Sequence, residues 1–149
     1  MRAAEINPGS RHGAGVLIHA KSEDLWLFVQ RSTYVEDPLT WCIPGGRVEE
    51  GEDYLDAAIR ETKEEVGYDL SNSPTKLIYV NKSDWPLTTY HTYAAVIDKP
   101  FEPSLNWESN IYRWCKLDKM PAPMHWGLNA MFNNDRSAEI LHEWLGTLA

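Results

Sequence analysis

Gly46-Arg47-Val48-Glu49-Glu50-Gly51-Glu52 and, seven residues on, Arg60-Glu61-Thr62-Lys63-Glu64-Glu65-Val66-Gly67-Tyr68 form the stretch on which the reading of this sequence turns. Between them Leu55, Ala58, Ile59, Thr62 and Val66 recur at i, i+3, i+4, i+7 and i+11. That spacing predicts a helix over Glu52–Val66 with one buried stripe, closed by Gly67 at the position past its end. At about 100° per residue, with Leu55 as zero, the stripe stays within roughly 60° either side, and Glu61, Glu64 and Glu65 fall near −120°, 180° and −80°. Three carboxylates therefore crowd one side of the last two turns. The helix dipole is negative there, and Glu61 and Glu65 repel as an i, i+4 pair. Each penalty is a few tenths of a kcal/mol, and Arg60, four residues before Glu64, offsets part of it. A divalent cation would reverse the balance, and carboxylate oxygens suit the hard ions Mg²⁺ or Mn²⁺, whose coordination substrate phosphates complete.

Taken alone, such a charge run is the solvated face of an amphipathic helix. Its flanks argue otherwise. Pro44-Gly45-Gly46 ahead of the helix permits close backbone approach to a ligand, and a further acid, Glu52, stands at the helix start. Gly46, five residues, Glu52, seven residues, then Arg60 to Tyr68 closely resembles the Nudix box, a 23-residue signature. Gly46, Glu52, Arg60, Glu61, Glu64, Glu65 and Gly67 match by identity; Thr62 and Tyr68 depart where aliphatic residues are usual, both at packing positions. The resemblance implies a Nudix-like α/β/α sandwich with a mixed sheet and a metal-dependent phosphoanhydride hydrolase. It further implies that Glu61, Glu64 and Glu65 hold the divalent ions, Glu52 supports the site, Arg60 orients the glutamates by ion pairing, and Gly45 and Gly46 shape the loop. Glu108, six residues before Trp114, is similar in placement to the extra loop glutamate of many such enzymes, a metal ligand or base. The general base stays open between Glu61 and Glu108.

The rest of the chain agrees with this frame. Its 149 residues are about one domain long, so residues 1–149 are expected to form a single domain. β-rich runs at 14–19, 25–30, 40–43, 76–80, 88–97 and 111–117 read as strands, and helices are expected over 124–132 and from Asp135, as N-cap, to Gly146. Strands on both sides of one central helix, with helices again at the end, argue for an α/β (α+β) layered fold.

The 14 Lys and Arg against 22 Asp and Glu leave a net charge of −8, the wrong sign for holding a nucleic acid polymer by counterion release. The longest apolar runs fall far short of a membrane span, so no membrane partner is expected. Cys42 and Cys115 lie in no ligand spacing, and the N-terminal residues carry no apolar export segment; free thiols and the cytoplasm follow as expectations. The five histidines show no zinc spacing and read as structural. Arg31 and Arg47 flank the Pro44-Gly45-Gly46 loop as candidate phosphate contacts, and Trp85, Tyr90 and Trp107 sit near loops where a nucleobase could stack.

The expected activity is attack of water on phosphorus in a nucleoside diphosphate joined to another group, such as a nucleoside triphosphate or nucleotide sugar, with a small nucleotide as partner. A different class stays open: a Nudix-like module that binds a nucleotide as a sensor without turning it over. A homodimer is also an open expectation, since many members of that family pair.

Overall fold

A computed structural model describes residues 11–84 and 87–148. Its elements are β1 (Arg11–Ala20), β2 (Leu25–Arg31), β3 (Trp41–Cys42), β4 (Gly45–Arg47), α1 (Tyr54–Val66), β5 (Thr75–Asp84), β6 (Leu87–Ile97), β7 (Ser109–Cys115), a single 3₁₀ turn (Leu117–Lys119), α2 (Trp126–Phe132) and α3 (Asp135–Thr147). The strands form one mixed sheet in the order β3-β2-β1-β6-β5, with β4 also on β1 and β7 also on β2. β1 and β6 run parallel from Arg11↔Thr88 to Ala20↔Ile97; the other pairs are antiparallel.

Continuous apolar runs in β1 and β2 reflect burial on both faces. Val16, Ile18, Leu27 and Val29 point to one side, where they pack with Ala57, Ala58 and Val66 of α1. Leu17, Trp26 and Phe28 point to the other, toward Leu128 and Met131 of α2, with Ile140, Leu141 and Trp144 of α3 against them. The result is the α/β/α sandwich expected from the sequence.

One feature of the sheet positions the site. β1 and β2 pair only at their hairpin end, His19↔Trp26 and Ala20↔Leu25, and then diverge. The segment from Trp41 to Arg47 fills the wedge: β3 pairs with β2, Pro44 O accepts from Val16 N at 2.9 Å, and β4 pairs with β1 through Gly13↔Arg47 to Gly15↔Gly45. The two-glycine stretch, which carries no strand pattern in the sequence, is thereby a strand.

Other boundaries shift for local reasons. α1 begins at Tyr54 and not at Glu52, with Asp53 extended at the N-cap. Asn134, not Asp135, caps α3, because its Oδ1 accepts from Ser137 N at 2.9 Å and from Ser137 Oγ at 3.2 Å. Tyr68 stacks on Phe101 with ring centroids 4.3 Å apart, and the buried Thr62 Oγ1 donates to Ala58 O at 2.8 Å. Both departures from the aliphatic pattern are thus absorbed by local partners.

Candidate active site

The apolar stripe places Leu55 at the centre of the buried face of α1, but the helix is turned away from that centre. Its buried residues are Ala57, Ala58, Glu61, Thr62, Glu65 and Val66, an arc displaced by roughly 70° toward the glutamates; Leu55 and Ile59 are only partly buried. Ala57 and Ala58 are small and sit in the core with Ala14 and Val16, so α1 lies close on the sheet where two of its acids are buried. Glu65 is 5% exposed and Glu61 9%, whereas the Glu64 side chain is 54% exposed. The three acids thus divide into two that face the sheet and one that faces out.

Glu65 is held from both sides. Gly45 N donates to its Oε2 at 2.8 Å, and Ser109 Oγ at the start of β7 donates to Oε1 at 3.2 Å. Burial pushes its carboxyl up to about 8, with the charges of Glu108 and Glu61 adding to the rise while the two hydrogen bonds oppose it. Glu61 lies against Gly46, where a Cβ would fall 2.5–2.8 Å from its carboxylate atoms. Burial raises its carboxyl as well, against the lowering effect of Arg60.

Arg60 is the hub of the remaining acids. Its Nε donates to Glu52 Oε2 at 2.8 Å, Nη2 to Glu52 Oε1 at 3.0 Å and to Arg47 O at 3.0 Å, and Nη1 to Glu61 Oε1 at 3.0 Å and Glu64 Oε2 at 3.2 Å. The paired contact with Glu52 is the bidentate fork that a guanidinium alone can make. Those bonds hold the Glu52 carboxyl below its ordinary range. Glu52 Oε1 in turn accepts from Glu49 N at 3.0 Å, which ties the loop ahead of α1 to the same hub.

Beside this cluster the wedge opens into a cavity of about 270 Å³ whose lining includes Gly45, Gly46, Glu65, Glu108 and Arg31. Glu108 reaches it from the loop before β7, steadied by Asn106: Asn106 Nδ2 donates to Glu108 Oε1 at 3.2 Å, and Glu108 N donates to Asn106 Oδ1 at 3.0 Å. Arg31 Nε donates to Glu36 O at 2.6 Å, and its charge lies near the Cys42 thiol. Burial pushes that thiol up to about 12, so Cys42 is a protonated wall residue. Arg47 is exposed and lies outside the lining, its carbonyl serving Arg60 instead.

A NUDIX domain profile matches residues 9–134. The chain belongs to the NUDIX domain family. It is 36% identical over 85 residues to the asymmetrical bis(5'-nucleosyl)-tetraphosphatase of Rattus norvegicus, an alignment covering 53% of this chain and 57% of that one. It is 31% identical over 111 residues to the CMP-5'-(N-acetyl-N-hydroxy-3-aminopropyl)phosphonate hydrolase of Streptomyces rubellomurinus, covering 72% of this chain and 52% of that one. The chain thus spans about half the length of these curated relatives. Among solved structures, the M. smegmatis Nudix hydrolase RenU superposes with a TM-score of 0.71 at 25% identity, covering 94% of this chain and 89% of that one. A C. elegans Ap4A hydrolase binary complex superposes with a TM-score of 0.65 at 24% identity, covering 91% and 97%.

The acids of this Nudix chain fit a divalent cation by chemistry. Glu61, Glu65 and Glu108 repel one another across the wedge, and their oxygens are the hard donors such ions take. They do not stand preassembled: among the described residues no three His, Cys, Asp or Glu side chains already form a ligand cluster, Glu61 and Glu64 being turned to Arg60.

Sequence reasoning missed the far wall of the cavity. His125 N-caps α2, its Nδ1 accepting from Gly127 N at 3.0 Å and its Nε2–H donating to Asp37 Oδ2 at 3.0 Å. Trp126, 56% exposed, lines the same space. Histidine is not among the residues that favour an N-cap, so no local signal marked His125 for this role. Of the stacking candidates, Trp85 lies outside the described residues, Trp107 is 64% exposed and outside the cavity lining, and the Tyr90 ring is packed among glycines.

Proposed function

We propose that this chain is a pyrophosphohydrolase that uses a divalent cation, Mg²⁺ or Mn²⁺, to cleave a nucleoside diphosphate linked to another group by attack of water on phosphorus. The observation that carries the reading is the meeting of Glu65, Glu108, the Gly45-Gly46 backbone and Arg31 around one cavity. Residues 1–149 act as one domain in this reading. Glu61, Glu64, Glu65 and Glu108 would hold the cation, which when bound neutralises phosphate charge and acidifies water. Glu52 and Arg60 position those acids and do not meet the substrate. Of the two candidate bases, Glu108 lines the cavity and has no cation partner among the described residues, whereas Glu61 is bonded to Arg60, which favours Glu108 as acceptor of the water proton. Arg31 and the Gly45-Gly46 backbone contact the phosphates; Arg47 would do so only by swinging from its exposed position.

A small nucleotide suits the site better than a nucleic acid polymer, because Arg31 is the one Lys or Arg among the lining residues and the net charge is −8. Nucleoside triphosphates and nucleotide sugars are the substrates we infer, and the names of the relatives add dinucleoside polyphosphates. No described helix is long and apolar enough to cross a membrane, and two free thiols accord with the cytoplasm. A homodimer remains part of the proposal only as a property to be measured.

The test is incubation with Mg²⁺ and a panel of nucleoside triphosphates, nucleotide sugars, ADP-ribose and dinucleoside polyphosphates, with phosphate read after phosphatase coupling. Turnover that disappears in Glu65→Gln with the fold retained supports the hydrolase. The occupation of Glu61 and Glu64 by Arg60 favours a second reading, a nucleotide-binding module, and tight binding without turnover of any substrate would establish it.

A further inference from the structure

Tyr90 on β6 carries a phenol that the reading above leaves unused. Its ring lies in a slot cleared by three glycines. A Cβ on Gly13 would fall 2.6 Å from Tyr90 Cδ2, and Cβ atoms on Gly15 and Gly45 would overlap the hydroxyl oxygen itself. Gly13 is the β1 partner of Tyr90 across the parallel pair, and Gly15 faces Gly45 across the wedge. Any side chain at these positions would expel the ring, and glycine costs strand stability at each, so the slot is maintained against local propensity. Its occupant reaches the wedge floor under Gly45, whose amide hydrogen goes to Glu65.

The hydroxyl makes no hydrogen bond with any described residue, although Tyr90 is only partly exposed and lines the cavity with Glu65, Glu108 and Arg31. Phenols in such settings normally find a partner. Burial, with the neighbouring Cys42 and Glu65, raises the phenol far above its ordinary range, so it keeps its proton and can donate. A lysine here would be captured by Glu65; a neutral O–H can bond an anion among carboxylates without that competition.

We infer that Tyr90 is a further substrate-binding residue, its Oη–H donating to a phosphate oxygen of the nucleotide in the cavity beside Arg31. The inference rests on the nucleotide-site reading of this cavity, and the two can fail separately. Tyr90→Phe keeps the ring in its slot and removes one oxygen. Three quantities are measured on the full chain with Mg²⁺: affinity for an α,β-methylene nucleoside diphosphate by calorimetry, kcat and KM on the best substrate of the panel, and Tm. Expected are affinity and kcat/KM about 10-fold or more below wild type, as for one hydrogen bond to a charged group, with Tm nearly unchanged. Unchanged affinity and kcat/KM alongside an active wild type overturn the role of Tyr90 and leave the hydrolase standing. Affinity lost in Tyr90→Phe when the wild type binds but turns nothing over keeps Tyr90 and removes the hydrolase. A wild type that neither binds nor turns over removes both. Should Tyr90→Phe not fold, 3-fluorotyrosine placed at position 90 gives a second readout: a ¹⁹F resonance that moves on adding the analogue supports the contact, and one that stays overturns it.

Discussion

Glu61 Oε2 stands 2.5 Å from where a Cβ on Gly46 would be, so the carboxylate occupies the volume that glycine alone leaves empty. The spacing of a β4 glycine and a helix acid fifteen positions later is therefore one steric unit, and it yields the first prediction. Gly46→Ala must move either the β4 backbone, fixed by its pairing with β1, or the carboxylate, freed at the expense of its bond to Arg60. Displacement of a site carboxylate by about 1 Å costs on the order of 100-fold in rate. Steady-state kinetics are expected to show that loss with the far-ultraviolet dichroism of the wild type.

Arg60 joins Glu52, Glu61 and Glu64 through one guanidinium. Arg60→Gln leaves those acids facing one another, and urea melts are expected to show a loss of about 1–3 kcal/mol. Arg60→Lys should recover little of it, because an ammonium cannot make the two parallel bonds to Glu52. Full recovery by Lys would show that only charge matters at this position.

Glu65 sets a pH dependence in the metal-free chain. Its folded carboxyl is raised to about 8 from 4.5, so between those values the folded state binds the extra proton. Stability is therefore fully present below the unfolded value and is lost as pH rises through about 8. Calorimetric Tm in chelator is expected to fall from pH 5 to pH 9, and Glu65→Gln should flatten the trend. In the proposed function a cation would compete with the proton for this carboxylate, so Mg²⁺ is expected to raise Tm more at pH 8 than at pH 6.

His125 titrates in the opposite sense. Burial, reinforced by Arg31 and opposed by Asp37, lowers its folded value, so stability from the α2 cap is present above 6.5 and declines as pH falls below it. His125→Ala removes the acceptor for Gly127 N and is expected to cost about 1 kcal/mol, near the usual worth of an N-cap. Because His125 and Trp126 line the cavity, the same variant should raise KM more than it lowers kcat.

The helix α1, the strands other than β4 and the family were legible in the chain itself, because each rests on short-range pattern: the i, i+3, i+4, i+7 stripe of α1, the β-rich runs, and the spacing from Gly46 to Gly67. The carboxylates could be counted and placed on a helix end, since 100° per residue needs no tertiary information. Their division could not. Whether Glu61 and Glu65 turn inward while Glu64 faces water depends on how closely α1 approaches Gly45 and Gly46, which is set by β4 pairing across the β1–β2 wedge.

Sequence alone thus determined that Glu61, Glu64 and Glu65 crowd the end of one helix, because register along a helix is a local property. Only the tertiary structure decided which of them are buried, that Glu108, Arg31 and Gly45 share a cavity while Arg47 stays outside it, and that three glycines on two strands receive the ring of Tyr90 from a third. Those facts join residues up to 77 positions apart, as Gly13 and Tyr90 are. Such distances are bridged by strand pairing and packing, not by any periodicity that a linear reading can follow.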